Sequence, residues 1–234
     1  MAEPLHYPGP SGSLSVASSG VAERNRVLRN TYWLLALSMV PTVVGAWLGI
    51  ATGFAQAMSP GIGIVVFLAG AFGFMYAIEK TKNSPAGVPV LLGFTFFMGL
   101  MLSRLVGAVL GQANGAGLVM TAFAGTGTVF FGMAMLSSLI KRDLTTMGKW
   151  LFIGAVMLLV AGIANVFIQS SALMVTVAVL AVGIFSAFIL HDLKRVRDGY
   201  EDNYISATLG VYLSLYNVFQ SLLLLLGIGG SSDE

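Results

Sequence analysis

Seven apolar stretches, at residues 31–51, 60–78, 87–110, 116–140, 148–169, 172–193 and 204–227, alternate with short polar connections along the chain. Each is about 20 residues long, the length a helix needs to cross a hydrocarbon core of about 30 Å. Hydrocarbon offers a backbone no hydrogen-bond partners, so such segments must satisfy their own peptide groups as helices. The pattern predicts an all-α integral membrane protein with seven transmembrane helices. Residues 1–25 are then a disordered cytoplasmic tail, 26–228 one seven-helix membrane domain, and 229–234 a short extracytoplasmic tail.

Within the spans the small and polar positions are not scattered. Span three carries Gly99, Ser103, Gly107 and Gly111 at four-residue spacing, a stripe along one helix face. Span four carries Gly117, Thr121 and Gly125 after a turn of only a few residues. Small residues let helix backbones approach closely in lipid, so these two stripes predict a tight antiparallel hairpin. Span seven places Ser206, Gly210, Ser214, Asn217 and Ser221 on one face. A polar strip of that length is costly against lipid, so the last helix is expected at the centre of the bundle with the strip inward.

The charges orient this arrangement. Eleven of the twelve Lys and Arg residues lie in the N-terminal tail and in every second connection: Arg24, Arg26, Arg29, Lys80, Lys82, Lys141, Arg142, Lys149, Lys194, Arg195 and Arg197. The remaining connections and the C-terminal tail hold none. Basic loops stay in the cytoplasm, which predicts an N-in, C-out topology. The sequence pI near 9.0 therefore reflects topology and attraction to anionic lipid rather than a nucleic-acid-binding face.

Only 9% of the residues are charged, far below the roughly 25% of a soluble domain. Residues 1–22 hold Pro4, Pro8, Pro10 and a Ser/Gly run without periodicity, which reads as irregular chain and not as a signal peptide. A tail of this kind offers a processive protease a place to grip. The chain has no cysteine, which excludes disulfides, thiolate metal sites and a cysteine nucleophile.

Two ionisable residues reach the hydrocarbon zone. Arg104 lies about 10 Å below the outer end of span three by helical rise, within reach of the interface by snorkelling. Asp192 and its neighbour His191 close span six and are the candidate pH or ion sensor, although neighbours in a helix point about 100° apart, so adjacency alone implies no His–Asp couple. No lysine lies inside a span to carry a retinal Schiff base, and one aspartate is too few for a two-aspartate membrane protease. Gly183-Ile-Phe-Ser186 faintly resembles a serine-protease motif, but no histidine lies at mid-membrane depth to act as its base. No His/Asp/Glu cluster has metal-ligand spacing. The pattern argues for neither an enzyme nor a cofactor.

Several short motifs, taken in order, carry a resemblance: Val27-Leu28-Arg29-Asn30-Thr31-Tyr32, Lys141-Arg142-Asp143-Leu144-Thr145, Phe188-Ile189-Leu190-His191-Asp192, Asp202-Asn203-Tyr204-Ile205, and Val211-Tyr212-Leu213-Ser214-Leu215-Tyr216-Asn217-Val218-Phe219. Together they resemble the Bax inhibitor-1 family, and within it the bacterial YccA-like branch, over residues 26–227. The resemblance implies a seven-helix fold with a central last helix in the bacterial inner membrane. For that branch it implies a non-enzymatic substrate and modulator of the membrane-bound AAA protease FtsH, restraining destruction of translocon subunits. For other members it implies a pH-sensitive calcium leak channel whose sensor pairs one aspartate closing span six with another in span seven. Asp192 matches the first position, and the second matches Ser214. Paired carboxylates share a proton because their like charges repel, and a serine removes that pair.

Overall fold

The computed structural model describes residues 11–54 and 57–230. Seven helices follow one another: α1 (Ser11–Thr52), α2 (Pro60–Thr81), α3 (Gly87–Leu110), α4 (Gly115–Leu139), α5 (Thr145–Ile168), α6 (Ser171–Asp198) and α7 (Tyr204–Gly230). All seven are long and apolar enough to span a membrane, and the described residues include no strand. Lipid-facing positions are large and apolar, such as Val43, Phe131, Phe152 and Val160. Trp33, Tyr76 and Trp150 lie exposed near the basic ends of their helices, where amphipathic rings suit the interface.

The helices differ from the hydropathy boundaries where charge begins. α6 continues five residues past Leu193, because Lys194, Arg195 and Arg197 are good helix formers and suit the negative end of the helix dipole. Gly199, at φ 85°, then closes α6 in the left-handed conformation. α1 corrects the expectation of a disordered tail more sharply, since it is helical from Ser11. The prolines stop at Pro10, and extending an existing helix costs far less than starting one. Residues 1–10 and 231–234 lie outside the described residues.

α7 packs against α1, α2, α3, α4 and α6, so the last helix is central. α5 is the exception: its extensive packing is with α6, and none of its residues is buried. Along α7 the buried residues include Val211, Tyr212, Ser214, Tyr216, Val218 and Leu223. These point in several directions, as expected of a helix enclosed on most sides.

The expected hairpin of α3 and α4 is corrected. The most extensive contact in the bundle is between α1 and α3. A Cβ at Gly99 would overlap the Thr42 carbonyl oxygen, and one at Gly45 would overlap the Phe96 carbonyl oxygen. The two backbones therefore touch, with Gly49 seated on Ser103 one turn further along. On α4, Gly125 faces Leu222 of α7, Thr121 is exposed and bonds its own Gly117 carbonyl, and Gly117 is covered by Asn114. Gly107 is half-buried and Gly111 exposed. A stripe of small residues shows that a partner comes close without saying which one, and here α1 took the face of α3 expected to meet α4.

Candidate functional site at the basic end of the bundle

The turn from α6 into α7 is built by Asn203. Its Oδ1 accepts from the amides of Ile205 (2.9 Å) and Ser206 (3.1 Å), which would otherwise lack partners in the first turn of α7. Its Nδ2 donates to the Lys82 carbonyl (3.2 Å) and to Asn83 Oδ1 (2.8 Å). One side chain thus caps α7 and fastens it to the α2–α3 connection.

Beside this turn lies a cleft of about 60 Å³ lined by Asp192, Arg195, Glu201, Ser206, Ala207 and Gly210. Asp192 reaches α7 where Gly210 has no side chain: a Cβ there would stand 2.8 Å from Asp192 Oδ2. His191 Nδ1 lies 3.1 Å from Asp192 Oδ1, so the neighbours do couple. The ring is buried, edge-on to Phe188, and a Cβ on Gly148 of α5 would come within 2.6 Å of its Nε2. Packing from α5 on one side and α7 on the other brings together two side chains whose helical angles alone would not.

Charges at this end are matched locally. Lys194, only 5% exposed, donates to Asp198 Oδ2 at 2.7 Å, and Arg195 lies 3.6 Å from Glu201. Such pairing is what allows an ammonium to be buried. In the α4–α5 connection the Asp143 carboxylate accepts from the Thr145 hydroxyl and amide, which hold its pKa below the usual range, and Lys194 adds in the same direction.

Along α7 the polar strip is directed inward: Ser214 and Ser221 are buried, and Ser206, Gly210 and Asn217 half-buried. Ser214 donates to the Gly210 carbonyl (3.0 Å) and Asn217 to that of Leu213 (2.8 Å). These groups therefore satisfy themselves within their own helix instead of presenting free donors to a path. Ser186 likewise donates to the Val182 carbonyl, which occupies its hydroxyl within α6. Arg104 stands apart near the opposite end of α3, lining a cavity of about 440 Å³ with Tyr216 and Gln220.

Three residues that sequence reasoning missed matter most here. Tyr212 of α7 is 1% exposed and ties that helix to α1 and α3. Glu201 supplies a second carboxylate to the Asp192 cleft from a loop, where no periodicity could mark it. Asn203 was legible in principle, as an Asn immediately before a helical run.

Seven membrane-length helices around a central α7, with an acidic cleft at the basic end, define a polytopic membrane protein. The family model for inhibitor of apoptosis-promoting Bax1 matches residues 24–231, and the chain belongs to this Bax inhibitor-1 family. An uncharacterized protein of Neisseria meningitidis serogroup A is 40% identical over 88% of this chain and 93% of its own. A membrane protein of Vibrio cholerae is 34% identical over 90% and 93%. The Escherichia coli protein named modulator of FtsH protease YccA is 35% identical over 87% and 90%.

Proposed function

We propose that this chain is a non-enzymatic, multi-pass protein of the bacterial inner membrane, N-in and C-out, that modulates a membrane-bound AAA protease of the FtsH type. The observation that carries the reading is near full-length similarity to a relative named for that role. The α7 geometry supports it. Serine occupies position 214 and bonds its own helix, leaving Asp192 without a second carboxylate on that helix. The exposed residues 22–26 of α1 and the basic connections are the surfaces such a protease would meet.

A tagged copy, extracted in mild detergent from cells holding the protease, should bring the protease complex with it. Its overproduction should lengthen the lifetime of a membrane substrate of that protease. Failure of the protease to co-purify, together with an unchanged substrate lifetime, would sink the reading.

A cation leak has one observation in its favour, the sharing of a cleft by Asp192 and Glu201. Arg195 lies beside Glu201 and lines the same cleft, which lowers its attraction for calcium.

A further inference from the structure

Away from the acidic cleft, a cavity lies near the opposite end of the helices, between α2, α3, α5 and α7. Its volume is about 440 Å³, within the range of roughly 300–1,000 Å³ typical of small-ligand sites. The walls are apolar, chiefly Ile64 and Phe67 of α2, Met101 of α3 and Val166 of α5. Three side chains with polar groups interrupt them, Arg104, Tyr216 and Gln220.

Arg104 is the one basic residue outside the basic end, and its position is about 10 Å along the helix from Gly111. No carboxylate lines the cavity, and no ion pair forms on Arg104 among the described residues. α5 packs extensively on α6 alone, and α2 on α3 alone. The cavity wall between α2 and α5 is therefore not sealed by helix packing and opens toward the acyl region of the bilayer. An unpaired guanidinium at membrane depth is costly, and a phosphodiester is the anion that its planar fork binds best.

We propose that this cavity holds one anionic phospholipid from the leaflet on that side. Its phosphodiester sits on Arg104 and Gln220, and an acyl chain lies along Ile64, Phe67, Met101 and Val166. The guanidinium offers five donors and the Gln220 amide two more, enough to engage both free phosphate oxygens. The lipid completes the contact of α5 with the rest of the bundle, which the protein's own side chains leave open.

The test is native mass spectrometry of the full chain in mild detergent, titrated separately with phosphatidylglycerol, phosphatidylcholine and inorganic phosphate. One phosphatidylglycerol per chain should be retained, and Arg104→Gln should weaken it by about tenfold, the loss of one charge-assisted contact. Gly63→Phe keeps Arg104 but fills the cavity. Nothing lies within 4 Å of a Cβ at Gly63, so this variant should fold with parental helix content and also lose the lipid. Arg142→Gln, in the exposed α4–α5 connection, should bind as the parent does. Retention of phosphatidylglycerol by Arg104→Gln or by Gly63→Phe would overturn the proposal. So would equal binding of phosphatidylcholine, or displacement of the lipid by inorganic phosphate at matching concentration.

Discussion

Tyr212 of α7 and Thr42 of α1, 170 positions apart in the chain, share a hydrogen bond of 2.9 Å between their hydroxyl oxygens. The same tyrosine reaches the Thr95 carbonyl of α3 at 3.4 Å and packs edge-on to Phe94. The central helix is thus pinned to the α1–α3 pair where those two helices come closest, since Thr42 is also the residue seated on Gly99.

Tyr212→Phe keeps the ring and deletes the hydroxyl. Interhelical hydrogen bonds in membranes average about 0.6 kcal/mol, and a buried partner left unpaired raises the cost to about 1 kcal/mol. A small fall in thermal stability in detergent is expected, with helix content unchanged. Tyr212→Ala should cost several-fold more, because it also leaves a cavity.

Gly99→Leu should be far more damaging than Gly107→Leu. The added side chain at Gly99 meets the Thr42 backbone, which cannot rotate away, and overpacking of that kind costs at least about 1–3 kcal/mol. Melting curves of the two purified variants decide the matter. Equal loss would mean that the α1–α3 contact is not the bundle's principal seam.

Asn203→Ala removes the α7 cap and the tie to the α2–α3 connection together. The cap alone is worth about 1 kcal/mol, and the half-buried tie adds to it by up to about as much again. Limited proteolysis should cut faster between α6 and α7 and in the 82–86 connection, while cleavage at the α5–α6 turn stays at the parental rate.

Calcium flux through the parent protein in liposomes should be small and nearly flat between about pH 6 and 8, since no second carboxylate stands beside Asp192 on α7. Ser214→Asp adds one a single helical turn beyond Gly210, where Asp192 packs. Like charges couple their titrations, so pH dependence should appear in this variant. Strong parental flux that rises with pH and disappears in Asp192→Asn would promote the leak reading over the protease one.

A reporter fused after Glu234 should be active only outside the cytoplasm. The expectation rests on eleven basic residues in the N-terminal tail and alternate connections against none in the others. Activity of the fusion in the cytoplasm would contradict it.

The number, length and order of the spans were legible in the sequence because hydrocarbon imposes a local rule: each crossing segment must be apolar and helical on its own. The inward strip of α7 was legible for a related reason, since exposing Ser214 or Ser221 to lipid carries a penalty whatever the neighbours are. Which helices meet was not. Lipid contacts are as apolar as Leu, so association rests on shape, and the stripe from Gly99 to Gly111 describes a shape that several partners could fit. The structure gave that face to α1 and left α5 on the outside. His191 and Asp192 show the same division. Their chemistry was plain from two adjacent letters, but their coupling depends on Gly148 and Gly210, tens of residues away in one case, pressing in from two other helices. Local physics in a bilayer determines what can cross it; only the tertiary structure decides which crossings touch, because that choice is made by close-range packing between segments far apart in the chain.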